Sequence, residues 1–317
     1  MEQRTDQARA IAVRGLFKTF GGLTAVDGIS FDVREGEVFG ILGPNGAGKT
    51  TTLECIEGLQ QLTAGSIEVL GLDSQRDAWQ IKERIGVQLQ TSAFFDYLNL
   101  TEILKLFASF YPRSIPADDL LARMELQDKA KTQVKHLSGG QKQRFSVAVT
   151  LVSDPELLFL DEPTTGLDPQ ARRHMWGLVQ AMHEEGRTIV LTTHSMEEAQ
   201  FLCERVAIMD LGKIAALDTP ANLVRALDAP YEVRASVGDG ASHEQLGALP
   251  GVIDVRSVGP IGSDGGVVAL RSSDATVTVP ALLSWAEDRG ERLADLEVRP
   301  ATLEDVFLAL TGRELRE

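Results

Sequence analysis

Gly43-Pro44-Asn45-Gly46-Ala47-Gly48-Lys49-Thr50 decides the fold of this chain. The stretch fits the spacing Gly-x-x-x-x-Gly-Lys-Thr of a phosphate-binding loop. Its glycines let the backbone turn its N–H groups inward and form a concave nest for phosphate oxygens. Lys49 supplies a point charge for the β- and γ-phosphates, and the Thr50 hydroxyl suits Mg²⁺. The flanks agree with this reading. Val38–Leu42 reads as a buried strand, and Thr51–Ile56 as the first turns of a helix whose N-terminal dipole favours an anion. Strand, loop and helix in this order predict an α/β fold that holds a nucleotide.

Composition narrows the class. The 317 residues allow two domains, and 43% hydrophobic with 24% charged residues is ordinary for a soluble globular protein. A net charge of −15 argues against a nucleic-acid binder that works through a general basic surface. Cys55 and Cys203 have no metal-type spacing and read as two reduced thiols of an intracellular protein. Met1 to Ala10 is polar, with no signal-peptide core, and no apolar run approaches the roughly 18 residues of a membrane span. Action at a membrane would therefore run through a partner.

Around the loop, strands and helices alternate. Ala12–Lys18 and Ile29–Val33 read as half-buried strands. Between them, Phe20 precedes a glycine pair, and position leaves it either an adenine-stacking platform or a core aromatic. Ser66–Leu70 and Ile85–Gln90 read as strands, with a short helix over Trp79–Arg84 between them. A helix capped by Thr101 and a second over Leu120–Leu126 interrupt the alternation, which predicts an inserted helical subdomain over about 91–150. The aromatic run Phe94-Phe95-Asp96-Tyr97-Leu98 is either a contact for a membrane partner or packing inside that block.

Leu137-Ser138-Gly139-Gly140-Gln141 opens a further helix on a good N-cap and leaves bare N–H groups, a second anion site. Leu157–Leu160 is an apolar strand that delivers Asp161 and Glu162 at its C-terminal end, where ligands bind in open α/β sheets. Asp161 suits Mg²⁺, directly or through water, and Glu162 suits a general base on a water. Thr188–Thr193 is a similar strand that ends at His194, a candidate γ-phosphate contact. Val206–Asp210 and Lys213–Leu217 read as a closing hairpin.

Beyond Leu227 the composition shifts. Residues 229–317 hold 15 acidic residues, eight arginines and no lysine. The predicted order there, strand 231–237, helix 242–249, strands 252–258 and 266–271, helix 279–289 and strand 294–299, is that of a ferredoxin-like fold. An amphipathic helix over Leu303–Leu310 follows.

Together the motifs resemble an ATP-binding cassette protein, the ATPase subunit of an ABC transporter, over roughly residues 11–228. The resemblance implies a RecA-like core with an antiparallel β subdomain and the inserted helical block, a cassette domain over 1–228 and an accessory domain over 229–317. Gly43 to Thr51 is similar to the Walker A loop, and Gln90 to the Q-loop glutamine, implied as a Mg²⁺ ligand and nucleotide sensor. Leu137–Gln141 matches the family signature, Leu160-Asp161-Glu162 closes the Walker B strand, and Gly166-Leu167-Asp168 is the D-loop. His194 takes the place of the switch histidine, and Phe20 that of an adenine-stacking aromatic. Cofactors implied are ATP and Mg²⁺. The tail, Ala301 to Arg313, resembles bacterial exporter ATPases of the daunorubicin-resistance type, which work with a separately encoded ABC-2-type membrane subunit. The resemblance also implies a head-to-tail homodimer on the cytoplasmic face of the membrane, with no nucleic-acid partner. The competing expectation is a soluble ABC ATPase that acts on ribosomes or nucleic acid.

Overall fold

The structure is a computed structural model, and it describes residues 8–89, 94–95, 97–238, 241–257, 266–291 and 293–312. The chain forms two compact units, one reaching Thr219 and one spanning Pro220–Glu314.

In the first unit, β1 (Arg9–Phe20) and β2 (Leu23–Arg34) form a long antiparallel hairpin, and β4 (Ala64–Val69) and β5 (Leu72–Asp73) extend it in the order β2-β1-β4-β5. The alternation expected over Ala12–Lys18 is broken by a register shift between Val13 and Leu16, which buries both in the core. The second sheet holds β3 (Val38–Leu42), β6 (Ile85–Gln88), β7 (Leu157–Asp161), β8 (Thr188–Thr193), β9 (Arg205–Asp210) and β10 (Lys213–Asp218), in the order β10-β9-β3-β8-β7-β6. All neighbours run parallel except the terminal β9–β10 hairpin. Continuous apolar runs make β3 and β7 fully buried, as parallel strands covered on both faces require. One core joins the two sheets through Val13, Phe31, Phe39, Ile56 and Phe159.

This topology sets three strand ends side by side. β7, β8 and β3 are adjacent and parallel, with Asp161 opposite Thr192 and Leu42 opposite Thr193. Helix α1 (Lys49–Ile56) leaves the loop after β3, and α2 (Ala78–Arg84) precedes β6. The helical block contains α3 (Leu100–Ala108), α4 (Ala117–Arg123) and α5 (Gly139–Thr150). Asn99, rather than Thr101, caps α3, in a reciprocal box with Glu102; the Thr101 hydroxyl instead donates to the Ala130 carbonyl. The aromatic run divides: Phe94 packs 5.2 Å from the buried Phe145 ring, whereas Phe95 and Tyr97 are exposed. Asp96 lies outside the described residues. Helices α6 (Pro169–Glu184) and α7 (Met196–Leu202) complete the first unit.

The second unit begins with α8 (Pro220–Arg225). It continues through β11 (Tyr231–Val237), α9 (His243–Gly247), β12 (Val252–Ser257), β13 (Gly266–Ser272), α10 (Ala275–Arg289), β14 (Ala294–Pro300) and α11 (Leu303–Thr311). Its strands lie in the all-antiparallel order β12-β13-β11-β14, the ferredoxin-like arrangement expected from the element order. Helix α10 starts four residues before the sequence expectation because Asp274 caps it and Pro280 is carried inside. Val233, Leu270, Leu282 and Trp285 form this unit's core on one face of its sheet.

Candidate functional site

The loop from β3 to α1 has the shape its glycines predict. A Cβ at Gly43 would stand 2.2 Å from the Met209 carbonyl oxygen, so only glycine lets the loop pass β9 there. Gly48 caps α1 in the left-handed region at φ 101°, where a Cβ would also meet the Ala25 carbonyl at 2.4 Å. No side chain caps this helix, so its first N–H groups are left for a ligand. Pro44 accepts from the Ala47 N–H at 3.1 Å and closes the turn that contains Asn45 and Gly46.

The Lys49 ammonium is buried. It donates to the Gly43 carbonyl at 2.9 Å and to the Pro44 carbonyl at 3.2 Å, and lies 3.2 Å from Glu162 Oε1. The other Glu162 oxygen accepts from the Thr165 hydroxyl at 2.9 Å and lies 3.2 Å from His194 Nδ1. The last contact is an ion-pair distance without hydrogen-bond geometry, because Nδ1 has no aligned acceptor. Lys49, Glu162 and His194, three separate sequence expectations, thus converge on one carboxylate. Burial pushes the Glu162 carboxyl up, but the Lys49 charge, hydrogen bonds from Thr165 and Lys49 and the His194 charge outweigh it and hold the pKa below the ordinary glutamate value.

Asp161 is buried beside this cluster. Thr50 Oγ1 donates to its two carboxylate oxygens at 3.3 and 3.1 Å, and Thr192 Oγ1 donates to Oδ1. Thr192 also receives the Glu162 N–H, at 3.0 Å on its hydroxyl and 3.2 Å on its carbonyl. Sequence reasoning missed Thr192 and Thr165 as groups that orient both carboxylates. A hydroxyl and a carboxylate are hard oxygen donors, and this pair fits Mg²⁺ with phosphate oxygens and water completing the shell. No cluster of three or more His, Cys, Asp or Glu suited to a metal occurs among the described residues. Gln90 lies outside the described residues. Thr51 is the third residue of α1.

Phe20 stands at the end of β1, 43% exposed, with Lys18 Nζ 4.5 Å from its ring centroid. It is therefore not a core aromatic, and an exposed ring face is what stacking requires.

A second anion-receptive surface lies elsewhere in the same unit. Ser138 caps α5 in a reciprocal box: its hydroxyl accepts from the Gln141 N–H at 3.3 Å, and Gln141 Oε1 accepts from the Ser138 N–H at 3.0 Å. The Gln141 side chain is spent on this box, which leaves the N–H groups of Gly139 and Gly140 for a ligand. These residues line a cleft of about 390 Å³ with Gly166 and Asp168. Asp168 caps α6 and accepts from the Gln170 and Ala171 N–H groups, both at 2.9 Å. No residue of the loop at 43–50 lines this cleft. The β7–α6 connection between the two sites is fixed by the buried Glu198, which accepts from Thr164 at 2.7 Å and from the Trp176 indole at 3.0 Å.

Residues 26–165 match the family described as ABC transporter, and residues 235–302 match the family described as ABC transporter domain-containing protein-like, C-terminal domain. The chain is 37% identical over 316 residues to Nod factor export ATP-binding protein I of Ralstonia nicotianae, covering 97% of this chain and 95% of that one. It is 35% identical to daunorubicin resistance ATP-binding protein DrrA3 of Streptomyces coeruleorubidus, covering 97% of each. It is also 35% identical to linearmycin resistance ATP-binding protein LnrL of Bacillus subtilis, covering 95% and 97%. Among solved structures, cbiO1 from Clostridium perfringens, part of an ABC transporter complex, superposes with a TM-score of 0.63 at 27% identity over 69% of this chain and 92% of that one. The post-hydrolysis dimer of the cassette MJ0796, bound to ADP and Pi, gives 0.61 at 26% identity over 66% of this chain and 98% of that one.

Proposed function

This chain belongs to the ABC transporter family of ATP-binding subunits, and we propose that the ATP it hydrolyses powers export of a drug-like, antibiotic-like or lipid-like molecule through a separate ABC-2-type membrane subunit. The observation that carries the reading is the meeting of Lys49, Glu162 and His194 on one carboxylate beside Thr50 and Asp161. The direction of transport rests on the export and resistance relatives, which match over 95–97% of their own lengths. That full-length match also weighs against a ribosome or nucleic-acid ATPase. No described helix is long and apolar enough to cross a membrane, which suits a peripheral subunit on the cytoplasmic face.

Lys49 and the uncommitted N–H groups of the loop and of the first turn of α1 hold the β- and γ-phosphates, and Phe20 stacks on the adenine. Ionised Glu162 accepts a proton from the water that attacks the γ-phosphorus as the bond to the bridging oxygen breaks. His194 supports the γ-phosphate from the far side of that carboxylate. Thr50, Asp161 and Gln90 would hold Mg²⁺, which supplies charge neutralisation between the phosphates. Two copies pair head-to-tail, so Ser138, Gly139, Gly140, Gln141 and Asp168 of one face the nucleotide on the loop of the other. The second helix N-terminus is attracted by a γ-phosphate before hydrolysis and loses it afterwards, which closes and then opens the pair.

Tagged protein recovered from detergent-solubilised native membranes tests the assignment. Co-purification of a polytopic ABC-2-type subunit is expected; ribosomal or nucleic-acid partners with no membrane protein would overturn the transport reading. Glu162→Gln should retain ATP binding and lose about 100-fold or more of turnover. Unchanged turnover would remove Glu162 as the base. Lys49→Ala should lose ATP binding itself.

A further inference from the structure

The four strands of the Pro220–Glu314 unit each carry one arginine on the face turned away from the core: Arg256 on β12, Arg271 on β13, Arg234 on β11 and Arg299 on β14. On three strands the local sequence repeats. Glu232-Val233-Arg234, Asp254-Val255-Arg256 and Glu297-Val298-Arg299 each place a carboxylate two residues before the arginine. A period of two puts both charges on one face. Each of these arginines spends Nε on its own carboxylate, at 2.9 Å for Arg256 and 2.7 Å for Arg299, with Arg234 and Glu232 in the same contact.

β13 breaks the repeat. Its sequence is Ala269-Leu270-Arg271, with alanine where the carboxylate would stand. Among the described residues the Arg271 side chain makes no hydrogen bond or ion pair. Its cross-strand neighbours Asp254 and Glu232 are already engaged by Arg256 and Arg234. Ala269 itself lies directly across from Arg256 on one side and Arg234 on the other. Three arginines therefore flank, by register, the one place in the pattern that lacks an anion.

Ala269 itself is buried, but the arginines that flank it border an open space. A cavity of about 650 Å³ is lined by all four arginines, and its apolar lining includes Tyr231 and Pro300 at the ends of β11 and β14 and Leu308 and Ala309 of α11. Three acids also line it: Glu232 is held by Arg234, Asp305 is taken up by the Thr302 N–H and hydroxyl at 2.8 and 3.0 Å, and Glu304 stands beside Asp305 in the first turn of α11. The cavity thus combines four guanidinium groups with an apolar lining from the strand ends and α11. Guanidinium is planar, weakly hydrated and matched in shape to phosphate and carboxylate groups.

We propose that the open face of this sheet binds an anionic amphiphile, whose phosphate or carboxylate head takes the place of the carboxylate absent at Ala269, among Arg234, Arg256 and Arg271. Its apolar body lies against Tyr231, Pro300 and Leu308. The site is independent of the ATP site and of the transport reading, and it makes this unit a receptor for a ligand of that class.

Isothermal titration of the full chain with decyl phosphate, below its micelle concentration, tests the site, with inorganic phosphate and decyltrimethylammonium titrated in parallel. Saturable binding of decyl phosphate at one per chain is expected, with inorganic phosphate weaker and the cation unbound. Arg271→Gln should weaken decyl phosphate about tenfold or more. Ala269→Glu, which completes the repeat, should abolish binding; if that variant does not unfold cooperatively, Arg271→Gln decides alone. Absence of saturable binding, equal affinity in Arg271→Gln, or equal affinity for the cation would overturn the proposal. Inorganic phosphate binding as tightly as decyl phosphate would overturn the amphiphile and leave a simple anion.

Discussion

Glu162 adopts a φ of 49°, a left-handed conformation that costs a non-glycine residue about 1–2 kcal/mol. Its N–H, held by both the hydroxyl and the carbonyl of Thr192, offsets that cost and turns the carboxylate from the strand end towards Lys49. Thr192→Val should therefore lower ATP turnover while nucleotide binding persists, because Lys49 and the loop remain; wild-type turnover would show that the hydroxyl orients nothing. Thr192 was illegible as a site residue because threonine in a strand is already explained by its strand preference. Glu57 makes a second residue-scale prediction. It caps the end of α1, 3% exposed, and burial, followed by the charges of Asp161 and Glu54, pushes its carboxyl up to about 8. The folded chain then binds a proton that the unfolded chain has released. Stability from this group is full below the ordinary glutamate pKa and is lost as pH rises towards 8. Glu57→Gln should abolish that loss, so its melting temperature should exceed the wild type's at pH 8.5 and approach it at pH 5. Parallel melting curves for the two proteins would contradict the shift.

Helix termini decide most of the chemistry at the scale of the element. α1 starts on a glycine without a side-chain cap, and α5 starts on Ser138 with its box closed by Gln141. Both leave N–H groups for phosphate, and both were legible because such termini need particular residues at fixed offsets. The start of α3 falls at Asn99, boxed with Glu102, rather than at Thr101, since two capping residues two apart compete and only packing selects one. The division of the two helix termini between different clefts has a consequence for pairs of chains. Lys49→Ala and Ser138→Arg should each be nearly inactive alone, whereas an equal mixture should recover about a quarter of the wild-type sites, since half the pairs keep one intact composite site. A mixture no more active than its parts would place both termini on one nucleotide within a chain.

The whole molecule joins a nucleotide unit to an accessory unit, and the sequence shows them unequally. The order of strands and helices was enough to anticipate the ferredoxin-like sheet, because β-α-β-β-α-β leaves few ways to pair. The arginine-lined cavity was not legible, because register brings its arginines together: Ala269 stands out only once Arg234 and Arg256 are known to lie across from it. The central claim, that two copies share ATP between the loop of one and the signature helix of the other, is tested most directly by light scattering on Glu162→Gln. With Mg²⁺ and ATP the 34.4 kDa chain should double in mass, and with Mg²⁺ and ADP it should return to a single chain. A mass that stays at one chain in saturating ATP, with ATP binding verified on the same sample, would contradict the account.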